Sequence, residues 1–129
     1  MTTQNLESNK RLIATFISEI WNGRRFDRLS DFVAEGYVQH NPNLADGRQA
    51  LEGFLRGPYT TAMAGGRFTL MRLIAEADLV VAHSLFRMGE ADRGTAVVDI
   101  YRVREGRIVE HWDVKEAVPE ASANGNPMV

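Results

Sequence analysis

Asp99 in TAVVDIYRV and three histidines, His40 in YVQHNP, His83 in VVAHSLF and His111 in VEHWD, are the residues best placed to do chemistry in this chain. Asp99 falls mid-strand in a run of alternating β-branched and aromatic residues, where an unpaired carboxylate is costly to bury. It therefore needs a partner or a task. If the loop after Met88 runs from Gly89 to Arg93, alternation sets His83 directly across from Asp99 on the same face, and one residue of slip separates them. Such a pair serves one of two ends. Either Asp99 shuttles a proton while His83 orients it or hydrogen-bonds a substrate, or the two satisfy each other within a core. His40-Asn41 ahead of Pro42 is open in the same way, as pocket polarity or as turn chemistry. His111 alternates to the face opposite Asp99, Trp112 to the Asp99 face as a cavity wall or core residue, and Asp113 to a surface or interface role. The histidines show no i, i+2 or i, i+4 pairing and no nearby carboxylate cluster, so no metal site is expected.

The element that must position Asp99 is a hairpin from Thr95 to Lys115, turning at Glu105-Gly106, where glycine tolerates positive φ. Unbroken pairing from that turn sets Val103 opposite Ile108, Tyr101 opposite Glu110 and Asp99 opposite Trp112. The shared face is then apolar except for Asp99 and Glu110. Upstream, apolar residues at helical spacing from Leu12 to Trp21 predict an amphipathic helix over about Ser8 to Trp21, closed by Asn22-Gly23 in the left-handed region. Asp27 is set to cap a short second helix burying Leu29, Phe32 and Val33 and stopping near Gly36. Tyr37 to Pro42 reads as extended. Asp46 to Gln49 resembles a capping box for a third helix with Ala50, Leu51, Phe54 and Leu55 on one stripe. Tyr59 to Gly66 reads as a mobile loop whose Tyr59 and Met63 fold over a pocket mouth. Two strands, from Arg67 and from Leu79, precede the hairpin, giving three helices followed by four antiparallel strands. The strand after Asp78 is apolar on both faces, which implies a sheet covered by helices on one side and by a second subunit on the other.

At 129 residues the chain suits one domain, 1–129 with an irregular tail from about residue 117, long enough to enclose a core or cavity. The net charge of -2, with both signs interspersed, gives no basic stripe for nucleic acid and no polybasic cluster for lipid. The absence of cysteine excludes a disulfide framework, a thiol nucleophile and a cysteine-based metal site. With no leader-like N-terminus and no membrane-length apolar run, the expected compartment is the cytoplasm. Phosphate-binding and serine-hydrolase motifs are lacking.

YVQHNP, DGRQALEGF and DIYRVREGRIVEHWDV resemble the SnoaL-like polyketide cyclase family of the nuclear transport factor two-like superfamily, over nearly the whole chain. The resemblance implies an α+β fold in which a cone-shaped, curved antiparallel sheet wraps a long N-terminal helix and two shorter ones around a deep pocket. It also implies ring closure by aldol condensation, or a related isomerase-type proton transfer, with no metal or cofactor. Asp99 matches the acid/base position and His83 a pocket histidine. His40, Asn41, Tyr101, Trp112, Phe16 and Tyr59 are the candidate contacts to a small, apolar, polyketide-like ligand. The same superfamily is used for epoxide hydrolases and for domains that only bind or dimerise. A homodimer is expected through the sheet face assigned to Ile100, His111 and Asp113, with Val80, Phe86, Met88 and Val98 supplying its apolar character.

Overall fold

A computed structural model describes residues 3–129, with side-chain surroundings from residue 5 onward; residues 1 and 2 of the expected domain lie outside the described residues. The leading helix α1 spans Thr3–Phe16 and continues as a π-helical turn, Ile17–Asn22, so it starts earlier than Ser8. Ile13, Phe16, Ile17 and Ile20 form its buried stripe. The left-handed residue at its end is Arg24 (φ 58), whereas Gly23 is right-handed. Glycine is required at 23 for a different reason: a Cβ there would lie 2.7 Å from the Glu19 carbonyl oxygen.

After a single 3-10 turn, Phe26–Arg28, the short helix α2 spans Leu29–Phe32, and neither start carries a side-chain cap, so Asp27 does not cap it. The helix gives way to strand β1, Val33–Gln39, already at Val33 and not near Gly36. Helix α3, Arg48–Arg56, buries Leu51 and Leu55 and starts after Gly47 without a side-chain cap. Asp46 instead accepts the Gln39 N–H at 2.7 Å, tying the loop before α3 to the end of β1. Strands β2, Arg67–Glu76, β3, Leu79–Arg87, β4, Thr95–Arg104, and β5, Arg107–Ala117, follow.

The fold is α+β, with helices on one face of a five-stranded sheet ordered β1-β5-β4-β3-β2. The sheet is mixed, not wholly antiparallel, because β1 runs parallel to β5. Alternation gives the helix-facing side its core. Val80 and Ala82 from β3, Tyr101 and Val103 from β4 and Ile108 from β5 pack with Ile13, Phe16, Phe32 and Leu55. The Asn22 side chain acts as a surrogate strand partner, donating to the Phe68 carbonyl at 2.9 Å and accepting the Phe68 N–H at 2.8 Å. That anchors the end of the long helix to β2.

The hairpin turn is as expected: Glu105 and Gly106 both take positive φ, 51° and 75°, and Val103 pairs with Ile108. Beyond it the register departs from strict alternation. Arg102 pairs with Glu110, so Val109 has no partner and forms a β-bulge. Asp99 is consequently opposite Asp113 rather than Trp112, and Tyr101 opposite His111 rather than Glu110. From Glu110 onward every β5 side chain points to the face opposite the one alternation assigned. His111 and Asp113 turn inward, while Glu110, Trp112 and Val114 turn outward.

The β3–β4 register also differs by one residue. Ala82, not His83, pairs with Asp99, and His83 pairs with Val98 on the outer face. A second bulge at Met71 sets Arg72 beside His83, whose Nδ1 contacts the Arg72 guanidinium. Val80 and Phe86 also face inward and cannot contribute to an outer apolar surface.

Candidate functional site

Between the helices and the inner face of the sheet lies a cavity of about 430 Å³, within the usual range of small-molecule sites. Phe16, Trp21, Leu51, Phe54, Phe68 and Phe86 make its apolar wall. Its polar wall comes from β1 and the segment just after it, β4 and β5: Tyr37, Gln39, Asn41, Asp99, His111, Asp113 and Lys115.

The centre of the polar wall is a hydrogen-bonded chain. Asp99 Oδ1 lies 2.8 Å from His111 Nε2, and each residue is only 7% exposed. His111 Nδ1 lies 2.8 Å from Gln39 Oε1, which also accepts the Asn41 N–H at 3.0 Å. That backbone donor fixes the amide oxygen toward His111, so Nδ1 must carry a proton and donate it. Gln39 Nε2 in turn donates to the Tyr37 hydroxyl at 2.8 Å. With Nδ1 protonated, the Asp99–His111 contact holds one further proton: either Asp99 is neutral and donates to Nε2, or an imidazolium donates to a carboxylate.

Burial pushes the Asp99 carboxyl up from its ordinary value, while the His111 hydrogen bond and charge oppose the rise. Asp113 raises it further and Lys115 favours the carboxylate. Tyr37 and Tyr101 are also pushed up, chiefly by burial, so both remain neutral O–H donors. The Tyr37 oxygen already accepts from Gln39, which leaves its own proton free for a ligand. Tyr101 packs its ring against the His111 imidazole with centroids 5.0 Å apart.

Asn41 is 6% exposed, and its amide nitrogen lies 3.0 Å from both Asp113 oxygens. Its oxygen accepts the Asn43 N–H at 2.9 Å, which fixes the amide orientation. Carboxylates do therefore gather near a histidine: Asp99, His111 and Asp113 offer three potential ligand atoms within 4.8 Å of one another, the one such group found among the described residues. Those atoms are engaged by each other and by Asn41, and a cation bound to Nε2 would have to replace the Asp99–His111 hydrogen bond.

Of the residues proposed from sequence, Asp99, Asn41, Tyr101, Phe16 and Tyr59 line the cavity, and His83, His40 and Trp112 do not. His83 lies outside, against Arg72. His40 stacks on Trp112 with centroids 4.7 Å apart and an interplanar angle of 2°. Its Nε2 reaches Glu110 at 2.7 Å, again on the outer side. Tyr59 is fully buried and donates its hydroxyl proton to the Trp21 carbonyl at 3.0 Å. The turns around it are held, not free: the Arg24 guanidinium donates to the carbonyls of Tyr59, Met63 and Gly66 at 2.9, 3.0 and 2.9 Å and covers the Tyr59 ring at 4.2 Å. His111, Asp113, Gln39, Tyr37 and Lys115 went unrecognised as cavity residues. One signal was available for the first two, because strict alternation left Glu110 stranded on a face whose one other polar residue is Asp99.

A SnoaL-like domain model matches residues 13–111, and the chain belongs to that family. No curated protein matches. Among solved structures, the chain is similar to a candidate ketosteroid isomerase from Kribbella flavida, at 18% identity and TM-score 0.75, covering 97% of this chain and 92% of that one. A candidate polyketide cyclase from Bacillus cereus matches at 17% identity and TM-score 0.74, over 90% and 79% of the two chains. A candidate SnoaL-like isomerase from Agrobacterium tumefaciens matches at 17% identity and TM-score 0.72, over 86% and 99%. Likeness at these identities is one of fold. No helix among the described residues is long and apolar enough to cross a membrane.

Proposed function

We propose that this chain is a small enzyme that moves a proton at a carbon activated by a neighbouring carbonyl, for ring closure or isomerisation of an apolar ketone held in the cavity. The supporting observation is the buried Asp99–His111 pair on the cavity wall, with the second imidazole nitrogen committed to Gln39. As a carboxylate, Asp99 takes the proton from the activated carbon. The Tyr37 or Tyr101 hydroxyl donates to the carbonyl oxygen as enolate charge develops there. The enolate carbon then attacks a second carbonyl or is reprotonated at another position, and Asp99 returns the proton. His111 steadies the negative form of Asp99, and the apolar wall keeps bulk water from quenching the enolate.

The test is Asp99→Asn, assayed with β,γ-unsaturated and 1,3-dicarbonyl ketones together with thermal denaturation of the same preparation. Turnover is expected to fall roughly a hundred- to ten-thousand-fold with the fold intact. Full activity with reduced stability would sink the assignment.

A hydrolytic reading is favoured by one feature, the two carboxylates Asp99 and Asp113 beside the Asn41 amide, which together suit a water molecule poised to open an epoxide. Incorporation of labelled oxygen from water into a diol product distinguishes it from proton transfer. A module that only binds a ligand would show no turnover with either substrate class.

A further inference from the structure

The polar wall ends in a cation that the proton-transfer chemistry leaves unused. Lys115 lines the cavity and is the one cationic side chain among the lining residues. It makes no hydrogen bond or ion pair with any described residue. The Val109 bulge that turns His111 and Asp113 inward turns Lys115 inward as well, opposite Val97, so the three follow one another along β5. Burial falls along the same line, from His111 within the cavity, through half-buried Asp113, to Lys115 at its exposed end. Asp113, the nearest carboxylate in this row, takes the Asn41 amide instead of the ammonium.

We infer that Lys115 is an anion-binding subsite at the cavity entrance and that the ligand is an apolar acid. Its carboxylate or similar anionic group meets the ammonium, and its apolar body lies along the aromatic wall. This deepens the proton-transfer reading and rests on it for the position of the reacting carbon. Asp99 is paired with Asp113, and Lys115 is two residues further on, a rise of roughly 7 Å along a strand. The anionic group and the carbon that faces Asp99 are therefore separated by that rise together with the reach of the lysine stem, as in an acid whose ketone lies several bonds from its carboxylate. Placing the charge at the exposed end also avoids burying it beside Asp99 and Asp113, where it would be repelled. The lysine stem can cover apolar surface while its head stays hydrated, so a free acid can exchange there without a large desolvation cost.

The test compares two fluorescent probes that share a ring system, anionic 1-anilinonaphthalene-8-sulfonate and neutral N-phenyl-1-naphthylamine, on the wild-type chain and on Lys115→Met. Methionine keeps an unbranched apolar stem and removes the charge. Shifts of the His111 ring resonances report occupancy of the cavity by each probe. The sulfonate is expected to bind roughly tenfold more weakly to the variant, the size of a lost charge-assisted contact, with the neutral probe unchanged. In the wild type, added salt should weaken only the sulfonate. Equal weakening of both probes, no change in either, or no cavity binding by the sulfonate would overturn the assignment. Failure here is separable from failure of the proton-transfer reading, which depends on turnover by the Asp99→Asn variant and not on the affinity of either probe.

Discussion

Asp99 is costly to ionise in the folded chain, and that cost has a definite pH signature. Its folded carboxyl is raised above the ordinary value of 3.8, chiefly by burial. Between 3.8 and that raised value the folded state holds a proton that the unfolded state has released. The stability this group contributes is therefore fully present below the unfolded pKa and is lost as pH rises through the folded one. Asn at position 99 has no proton to lose, and its amide can donate to the Nε2 that the Gln39 contact leaves as an acceptor. The melting temperature of Asp99→Asn relative to wild type is thus expected to climb from about pH 4 upward and then level off, as measured by denaturation across that range. A constant difference at every pH would show that Asp99 is not held up by burial. Asp99 was legible in the sequence because a carboxylate amid alternating apolar residues is anomalous on its face. Gln39 was not, since its role depends on a chain reversal and a parallel strand pair that no local pattern encodes.

Among the elements, the Val109 bulge decides which side chains make the site. One unpaired residue in β5 exchanges His111 and Asp113 for Glu110, Trp112 and Val114 on the cavity side. Deleting Val109 should remove the bulge while leaving the pairing of Arg102 with Glu110 and of Tyr101 with His111 in place, so Glu110 and Trp112 stay outward and His111 and Asp113 stay inward. The expected result is that turnover and the Asp99–His111 hydrogen bond, followed by NMR, both survive the deletion. A Val109 deletion that lost the bond would mean that β5 re-pairs with β4 out of this register. The strands and their turns could be read from residue types because Val, Ile and Tyr runs and Glu105-Gly106 act locally. The bulges could not be read from alternation, since each depends on which neighbour the extra residue is set against. The same limit applies to β3, where a one-residue difference in pairing across the loop after Met88 moved His83 from beside Asp99 to beside Arg72. It applies equally to Asp46, whose capping-box spacing was genuine but whose carboxylate found the Gln39 N–H first.

At the scale of the whole molecule, the outer face of the sheet bears on assembly. Its composition differs from the expectation, because His111, Asp113, Val80 and Phe86 all face inward. The observed register nevertheless lines up Trp112, Ile100, Val81 and Ile74 as directly paired neighbours across four strands, an apolar row running the width of the antiparallel sheet. Val114 beside that row is 68% exposed, and Ile74 within it is 60% exposed. Apolar surface arranged continuously favours burial against a complementary surface, and a second copy presents the same row in a two-fold arrangement. The expected particle is a dimer of twice 14.5 kDa at micromolar concentration, measured by light scattering or sedimentation. Val114→Glu is the informative variant, since an exposed side chain can accept a charge without disturbing the monomer core, whereas two glutamates brought together in an interface repel and desolvate. It should give a folded monomer with an unchanged far-ultraviolet spectrum. A wild-type monomer at that concentration would remove the dimer. A Val114→Glu variant still dimeric would place the contact on another face, away from the row that Trp112, Ile100, Val81 and Ile74 define.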